Sequence, residues 1–144
     1  MIRYLLDTNV VSQRSKPKPS ANTLAWLDGQ NDSEFAISAL TARELAYGVA
    51  RACADKKPAV EAIATSVEAI LSAYSDRILP IDEPVARRWG EMLAANKDNP
   101  TDKALVATAI VHGLTLVSLN ASDVKGLGAP VLDPGRKPAK LHAP

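Results

Sequence analysis

Residues 2–9 read I-R-Y-L-L-D-T-N, an apolar run that ends on an acid followed by two small polar residues. A short apolar run closed by turn-forming residues is the pattern of a strand buried on both faces, as in parallel sheets covered by helices on both sides. In open sheets of that kind, ligands bind beyond the carboxyl ends of the strands. Asp7 therefore falls where a site would be built, and the rest of the chain decides whether it has company.

Outward from this strand the chain alternates. Residues 8–13 suit a short helical turn, and 14–19 (R-S-K-P-K-P) a loop, because two prolines interrupt it. Ser20 is placed to cap a helix over 21–29. Residues 34–38 (E-F-A-I-S) predict a second strand. A helix over 41–53 follows from the spacing of Leu45, Val49 and Ala52, and a long alanine-rich one over 58–74 from the stripe of Val60, Ile63, Val67, Ile70 and Leu71. A third strand over 77–81 leads into a helix over 85–95 that starts at Asp82 and Pro84. Residues 102–112 predict another helix closed by Gly113, 114–119 (L-T-L-V-S-L) a fourth strand, 120–128 a polar loop and 130–132 a terse fifth strand. The tail, about 134–144, carries prolines and basic residues and is expected to be ordered only in part. Strands separated by helices pair in parallel through right-handed crossovers. The fold class is α/β: a three-layer α/β/α sandwich around a central, mainly parallel sheet of about five short strands.

The 144 residues, 47% hydrophobic and 23% charged, fit one domain spanning the chain with a real core. A formal charge of +1 does not announce a nucleic-acid binder, so any such surface must be a local patch. Cys53 is the only cysteine, which excludes an internal disulfide framework and argues against a thiolate metal site. Apolar stretches are far shorter than the roughly 20 residues of a membrane helix, and the amino terminus lacks a signal-peptide pattern. A soluble cytoplasmic protein is expected.

Four carboxylates fall where such a sheet could gather them: Asp7 past the first strand, Glu44 in the first turn of the helix after the second, Asp102 at a helix start, and Asp123 past the fourth strand. Gathered carboxylates resist simultaneous ionisation, so a site that keeps several charged usually contains a cation. Hard oxygen ligands suit Mg²⁺ or Mn²⁺, and the reaction they serve is metal-assisted attack of water on a phosphodiester. Each acid also has a local reading. Thr41 and Glu44 spell T-x-x-E, a capping box; Asp102 beside Thr101 sits where the helix dipole favours acids; Asp123 is a common kind of turn residue. Asp7 is the hardest to dismiss, because Thr8 and Asn9 beside it can hydrogen-bond a carboxylate or a water.

Four segments together carry a resemblance: L-L-D-T-N-V-V-S at 5–12, I-S-A-L-T-A-R-E-L-A-Y-G-V at 37–49, T-D-K-A-L-V-A-T-A-I-V-H-G-L-T-L-V-S-L-N-A-S-D-V at 101–124, and V-L-D-P at 131–134. In their order and spacing the chain resembles the PIN-domain ribonucleases, and among them the VapC-like toxins of bacterial type II toxin–antitoxin pairs, including the FitB-like branch. The resemblance implies a PIN-like fold and a metal-dependent endoribonuclease whose acidic pocket binds Mg²⁺ or Mn²⁺. It carries Asp7, Glu44 and Asp102 onto the family's invariant acids and Asp123 onto a fourth, more variable one, all as catalytic and metal-holding residues. It makes Thr8 and Asn9 supports of Asp7, and Asn120 the asparagine after the fourth strand. It also implies an RNA substrate, a cognate VapB-like antitoxin whose tail occupies the acidic groove, and a homodimer. The family often has T-R-N where this chain has Ser118, Leu119 and Asn120, so an arginine able to contact phosphate or carboxylate is missing at Leu119.

Other residues read more plainly. His112 at a helix end complements the dipole. Lys103, next to Asp102, reads as a solvated lysine within reach of a phosphate. Arg14, Lys16 and Lys18, with Arg87 and Arg88, are the basic residues placed to line an RNA groove. The competing function is a non-catalytic PIN-fold module whose acids cap helices and whose role is to bind another protein. Mn²⁺ binding and acid-dependent RNA cleavage separate the two. A phosphotransferase using Asp7 as nucleophile lacks the D-x-D pattern it would need.

Overall fold

Neighbouring residues of the central strands go to opposite sides of the sheet. Leu5, Ala36 and Leu116 enter one apolar core, while Leu6, Phe35, Ile37 and Val117 enter another, and all seven are at most 1% exposed. A strand alternates its side chains with period two, so a run apolar at every position needs a core on each face. The computed structural model, which describes residues 1–144, supplies both.

Strands β1 (Tyr4–Leu6), β2 (Phe35–Ser38), β3 (Ile78–Leu79), β4 (Thr115–Val117), β5 (Val131–Asp133) and β6 (Lys140–His142) form one sheet in the order β3-β2-β1-β4-β5-β6. All pairings are parallel except that of β5 with β6. Helices α1 (Thr8–Val11), α2 (Ala21–Asp28) and α4 (Val60–Ala73) line the face of Leu6 and Phe35, with Val10, Leu27 and Leu71 packed there. On the other face, α3 (Ala39–Ala54) contributes Leu40, α5 (Glu83–Ala95) Trp89, α6 (Pro100–His112) a run of buried residues, and α7 (Ala121–Val124) Ala121 and Val124. The three-layer α/β/α arrangement is the one read from the alternation of strands and helices.

The caps explain several helix boundaries. Ser20 accepts from the Thr23 backbone N–H at the start of α2, and Asp82 from that of Val85 at the start of α5. Gly113 closes α6 at φ 66°, a left-handed conformation that a residue with a Cβ adopts only at a cost.

Three local readings differ from the structure. Residues 120–128, expected as loop, contain α7, whose four residues are too few to show a helical period. The helix expected from 41 begins at Ala39, because Ser38, the last residue of β2, caps it directly: its Oγ accepts from the Leu40 N–H at 3.0 Å. The tail carries a sixth strand, β6, which pairs Leu141 with Leu132 at the sheet edge while Leu141 stays 61% exposed. Backbone pairing without burial leaves no hydrophobic pattern to read.

Phe35 is 1% exposed and packs its ring against Tyr4 and Trp26 at centroid distances of 6.1 and 5.8 Å. Phe35→Ala is expected to lower the unfolding free energy by about 3–5 kcal/mol in a urea titration, the usual cost of emptying an aromatic site in a core. Val111→Ala, at an exposed position, should stay within about 0.5 kcal/mol of the parent.

Candidate active site

The chain builds its sheet outward from β1, first through β2 and β3 on one side, then through β4, β5 and β6 on the other. The crevice between β1 and β4 is thus the switch point, where open α/β sheets take their ligands. Asp7 follows β1 there. Leu6 is in register with Val117, and the Asp7 N–H donates to the Val117 carbonyl at 2.9 Å, so residues 7 and 118 meet side by side. The Ser118 hydroxyl, fully buried, donates to Asp7 Oδ2 at 2.8 Å. The Thr8 N–H donates to Oδ1 at 2.7 Å, making Asp7 the cap of α1. The Asn120 N–H donates in turn to Ser118 Oγ at 3.0 Å. A relay of donors therefore runs from the loop after β4 onto a carboxylate that is only 6% exposed.

Glu44 lies in the second turn of α3, not the first, since that helix starts at Ala39. Its capping-box reading fails for the same reason. Thr41 is fully buried inside the helix, and its Oγ1 accepts from the Thr8 hydroxyl at 3.1 Å. Asp102 is half-buried in the first turn of α6, after Asn99 in a left-handed conformation and Pro100. Asp123 is exposed on α7.

Burial is the main reason that the Asp7 carboxyl is raised above its ordinary 3.8; the hydrogen bonds from Ser118 and Thr8 oppose this, and the charges of Asp102 and Glu44 add to it. Asp102 is raised as well, first by burial and then by the charges of Asp123 and Glu44. All four acids are thus joined in one field. No three of them stand close enough, as placed, to grip an ion together. Charges act over longer distances than ligand bonds do. A donor set of carboxylate oxygens, without histidine or thiolate, fits a hard divalent cation, and the loose spacing fits one that keeps much of its water, as Mg²⁺ does.

The residues expected to support Asp7 do so differently from their reading. Thr8 contributes its backbone N–H, its hydroxyl being turned to Thr41. Asn9 uses its side-chain oxygen to accept from the Leu119 N–H at 3.3 Å, which ties α1 to the loop after β4. Asn120 acts through its backbone. Ser118, which in the sequence is only one residue of a longer motif, makes the sole side-chain hydrogen bond to Asp7. The clue to it was positional: parallel strands starting in register place residue 118 opposite residue 7. Lys103 is not solvated but 6% exposed, with Nζ donating to the Asn96 and Asp98 carbonyls, each at 2.6 Å. It fastens the turn that leads into α6 and is not aimed at a phosphate. Arg14, Arg87 and Arg88 are engaged by Asp28, Glu83 and Glu91.

Residues 4–123 match the family model described as PIN domain. The chain belongs to the PIN-domain family. A VapC ribonuclease of Sinorhizobium fredii is 30% identical over 135 residues, which cover 90% of this chain and 96% of that protein. Toxin FitB of Neisseria gonorrhoeae is 34% identical over 137 residues, with the same coverage of 90% and 96%. Among solved structures, FitAcB from Neisseria gonorrhoeae has a TM-score of 0.80 at 33% identity, covering 91% of this chain and 97% of that one. DNA-bound VapBC from Salmonella typhimurium has a TM-score of 0.72 at 27% identity, with coverage of 91% and 97%. The PIN fold seen here, a mainly parallel sheet between helical layers, is the fold of those chains.

For this PIN domain the raised Asp7 carboxyl has a consequence for stability. A carboxyl with a higher pKa folded than unfolded holds its proton more tightly in the fold, so stability falls as pH rises from 3.8 through the folded value and stays reduced above it. Asp7→Asn is therefore expected to raise the urea midpoint at about pH 7 in metal-free buffer, and the gain should vanish when both proteins are measured below 3.8. An equal midpoint at neutral pH would contradict the assigned cost of burying this charge.

Proposed function

We propose that this PIN-domain chain is a metal-dependent endoribonuclease acting as the toxin of a toxin–antitoxin pair. The observation that carries the reading is Asp7, buried at the β1–β4 switch point with one carboxylate oxygen held by the Ser118 hydroxyl and the other by the Thr8 N–H; the charges of Glu44 and Asp102 reach it, and that of Asp123 reaches Asp102. Kinship with a VapC ribonuclease supports RNA as the substrate, and kinship with toxin FitB supports the role of a toxin. The FitAB and VapBC complexes among the related structures support a VapB-like antitoxin as partner. The reading includes a homodimer and a cytoplasmic setting; no helix is long and apolar enough to cross a membrane.

In this mechanism Asp7, Glu44, Asp102 and Asp123 are the residues that would hold Mg²⁺ or Mn²⁺. A divalent cation supplies a Lewis acid for the phosphoryl oxygens and makes a nearby water more acidic. Asp7 is the fixed member, because Ser118 and Thr8 occupy one lone pair on each of its oxygens and so set its orientation. Asp123, exposed on α7, is the member free to orient water at the mouth. Thr8 and Asn9 tie the Asp7 loop to α3 and to the loop after β4, and Asn120 orients the Ser118 hydroxyl. No serine, cysteine or histidine nucleophile is needed.

The loose spacing of the acids favours a second reading, the non-catalytic PIN-fold module that only binds another protein. A Mn²⁺ titration together with single-turnover cleavage of RNA decides between them. Saturable Mn²⁺ binding and cleavage that is abolished in Asp7→Asn, with the circular dichroism unchanged, is the expected outcome; full activity of that variant would refute the site. Ser118→Ala should weaken metal affinity or activity by about 10–100-fold, as loss of a ligand's orienting partner usually does.

A further inference from the structure

Two side chains on α3 depart from how the rest of their kind are used. Seven of the eight arginines form ion pairs with Asp or Glu, and Arg43 alone does not. The aromatic residues are packed in the same thorough way. Tyr4, Trp26 and Phe35 pack on one another, Tyr74 lies under the Arg77 guanidinium, and Trp89 donates its indole N–H to the Pro100 carbonyl at 2.8 Å. Tyr47 is the exception, 67% exposed. Arg43 and Tyr47 are four residues apart in one helix, hence neighbours on one face. Together with Thr8 and Glu44 they line a cavity of about 630 Å³. The cavity therefore opens directly beside two residues of the acidic site.

We propose that this cavity is the subsite for a nucleotide flanking the cleaved bond, with Arg43 binding a backbone phosphate and Tyr47 stacking against the base. The proposal rests on the nuclease reading of the acids. An acidic centre repels a polyanion, so the strand must be held by a cation beside it, and most other arginines are already neutralised. Arg43 keeps its whole guanidinium fork for a phosphate. A tyrosine face accepts any base, provided that the base is splayed out of a helix, so the occupant is single-stranded RNA. The volume lies within the range of small-ligand sites, about 300–1,000 Å³. The arrangement divides the work: the acids act on one phosphodiester, while the α3 face fixes the register of the strand.

Binding of a fluorescein-labelled, unstructured ten-nucleotide RNA is measured by anisotropy in an Asp7→Asn background, which keeps the strand intact. Tyr47→Ala should weaken binding about 5- to 160-fold, the range measured for loss of one base-stacking side chain, while Tyr47→Phe stays close to the parent. Arg43→Ala should weaken binding and flatten the slope of log affinity against log salt by about 0.7, the value for one phosphate contact of a single strand. An abasic oligomer of equal length should lose the dependence on Tyr47 and keep that on Arg43, which a merely structural tyrosine would not do. Binding equal to the parent in both alanine variants overturns the proposal. So does dissociation of an oligomer by Tyr47→Ala in sedimentation, which would make this face a contact between copies of the chain. Failure of the parent protein to cleave RNA would instead count against the nuclease reading, and the anisotropy series still judges the subsite.

Discussion

The interaction on which the site depends is the hydrogen bond from the buried Ser118 hydroxyl to Asp7, made across the two central strands. It holds a carboxylate in place where water is largely excluded, a position that disfavours the charged form. Two donors are not enough to cancel this: the carboxyl is raised in spite of them. The fold therefore holds at its centre a charge that it only partly compensates, and either a proton or a cation completes the balance. The short parallel strands, with cores on both faces, fix the β1–β4 register that makes Ser118 and Asp7 meet.

Much of this was legible in the residues and some was not, for physical reasons. The apolar runs of the central strands, the caps at Ser20 and Asp82 and the close at Gly113 are local signals, and the structure follows them. Asp7, Asp102 and Asp123 stand out as candidates because the first follows a strand and the other two lie in the first turn of a helix. Glu44 was ambiguous because a T-x-x-E pattern means a cap only if its threonine begins the helix, and Ser38 begins it instead. Ser118 carries no signal of its own in the sequence and Lys103 a misleading one, because their partners are distant or irregular. One pairs with a residue 111 positions away, and the other donates into a turn whose carbonyls no side-chain pattern foretells. Strand β6 was missed because an edge strand held by backbone bonds need not bury its side chains.

The helices that open the site are too short to stand alone. A single turn is unfavourable in isolation, since nucleation fixes several residues for one hydrogen bond. Yet α1 and α7, each of four residues, carry Thr8, Asn9 and Asp123. Each is plugged into a different core: Val10 enters the core of Leu6 and Phe35, while Ala121 and Val124 enter that of Leu5 and Leu116. The two faces of the sheet therefore hold the two lips of the crevice separately, and the hydrogen bond from the Leu119 N–H to Asn9 Oδ1 joins them.

The same reasoning gives Lys103 its place. An ammonium group that is nearly buried without a carboxylate beside it is costly unless its protons are all met. Here Asn96 offers two acceptors and Asp98 one, all from the turn before α6. The charge is held by carbonyl and amide dipoles and so leaves the neighbouring acids their own negative field; burial and the other acids, not this lysine, are what act on the Asp102 carboxyl. A lysine adjacent in sequence to a site acid thus anchors the helix that presents it without neutralising it. That separation of anchoring from charge fixes the start of α6 without cancelling the negative charge of Asp102 beside it.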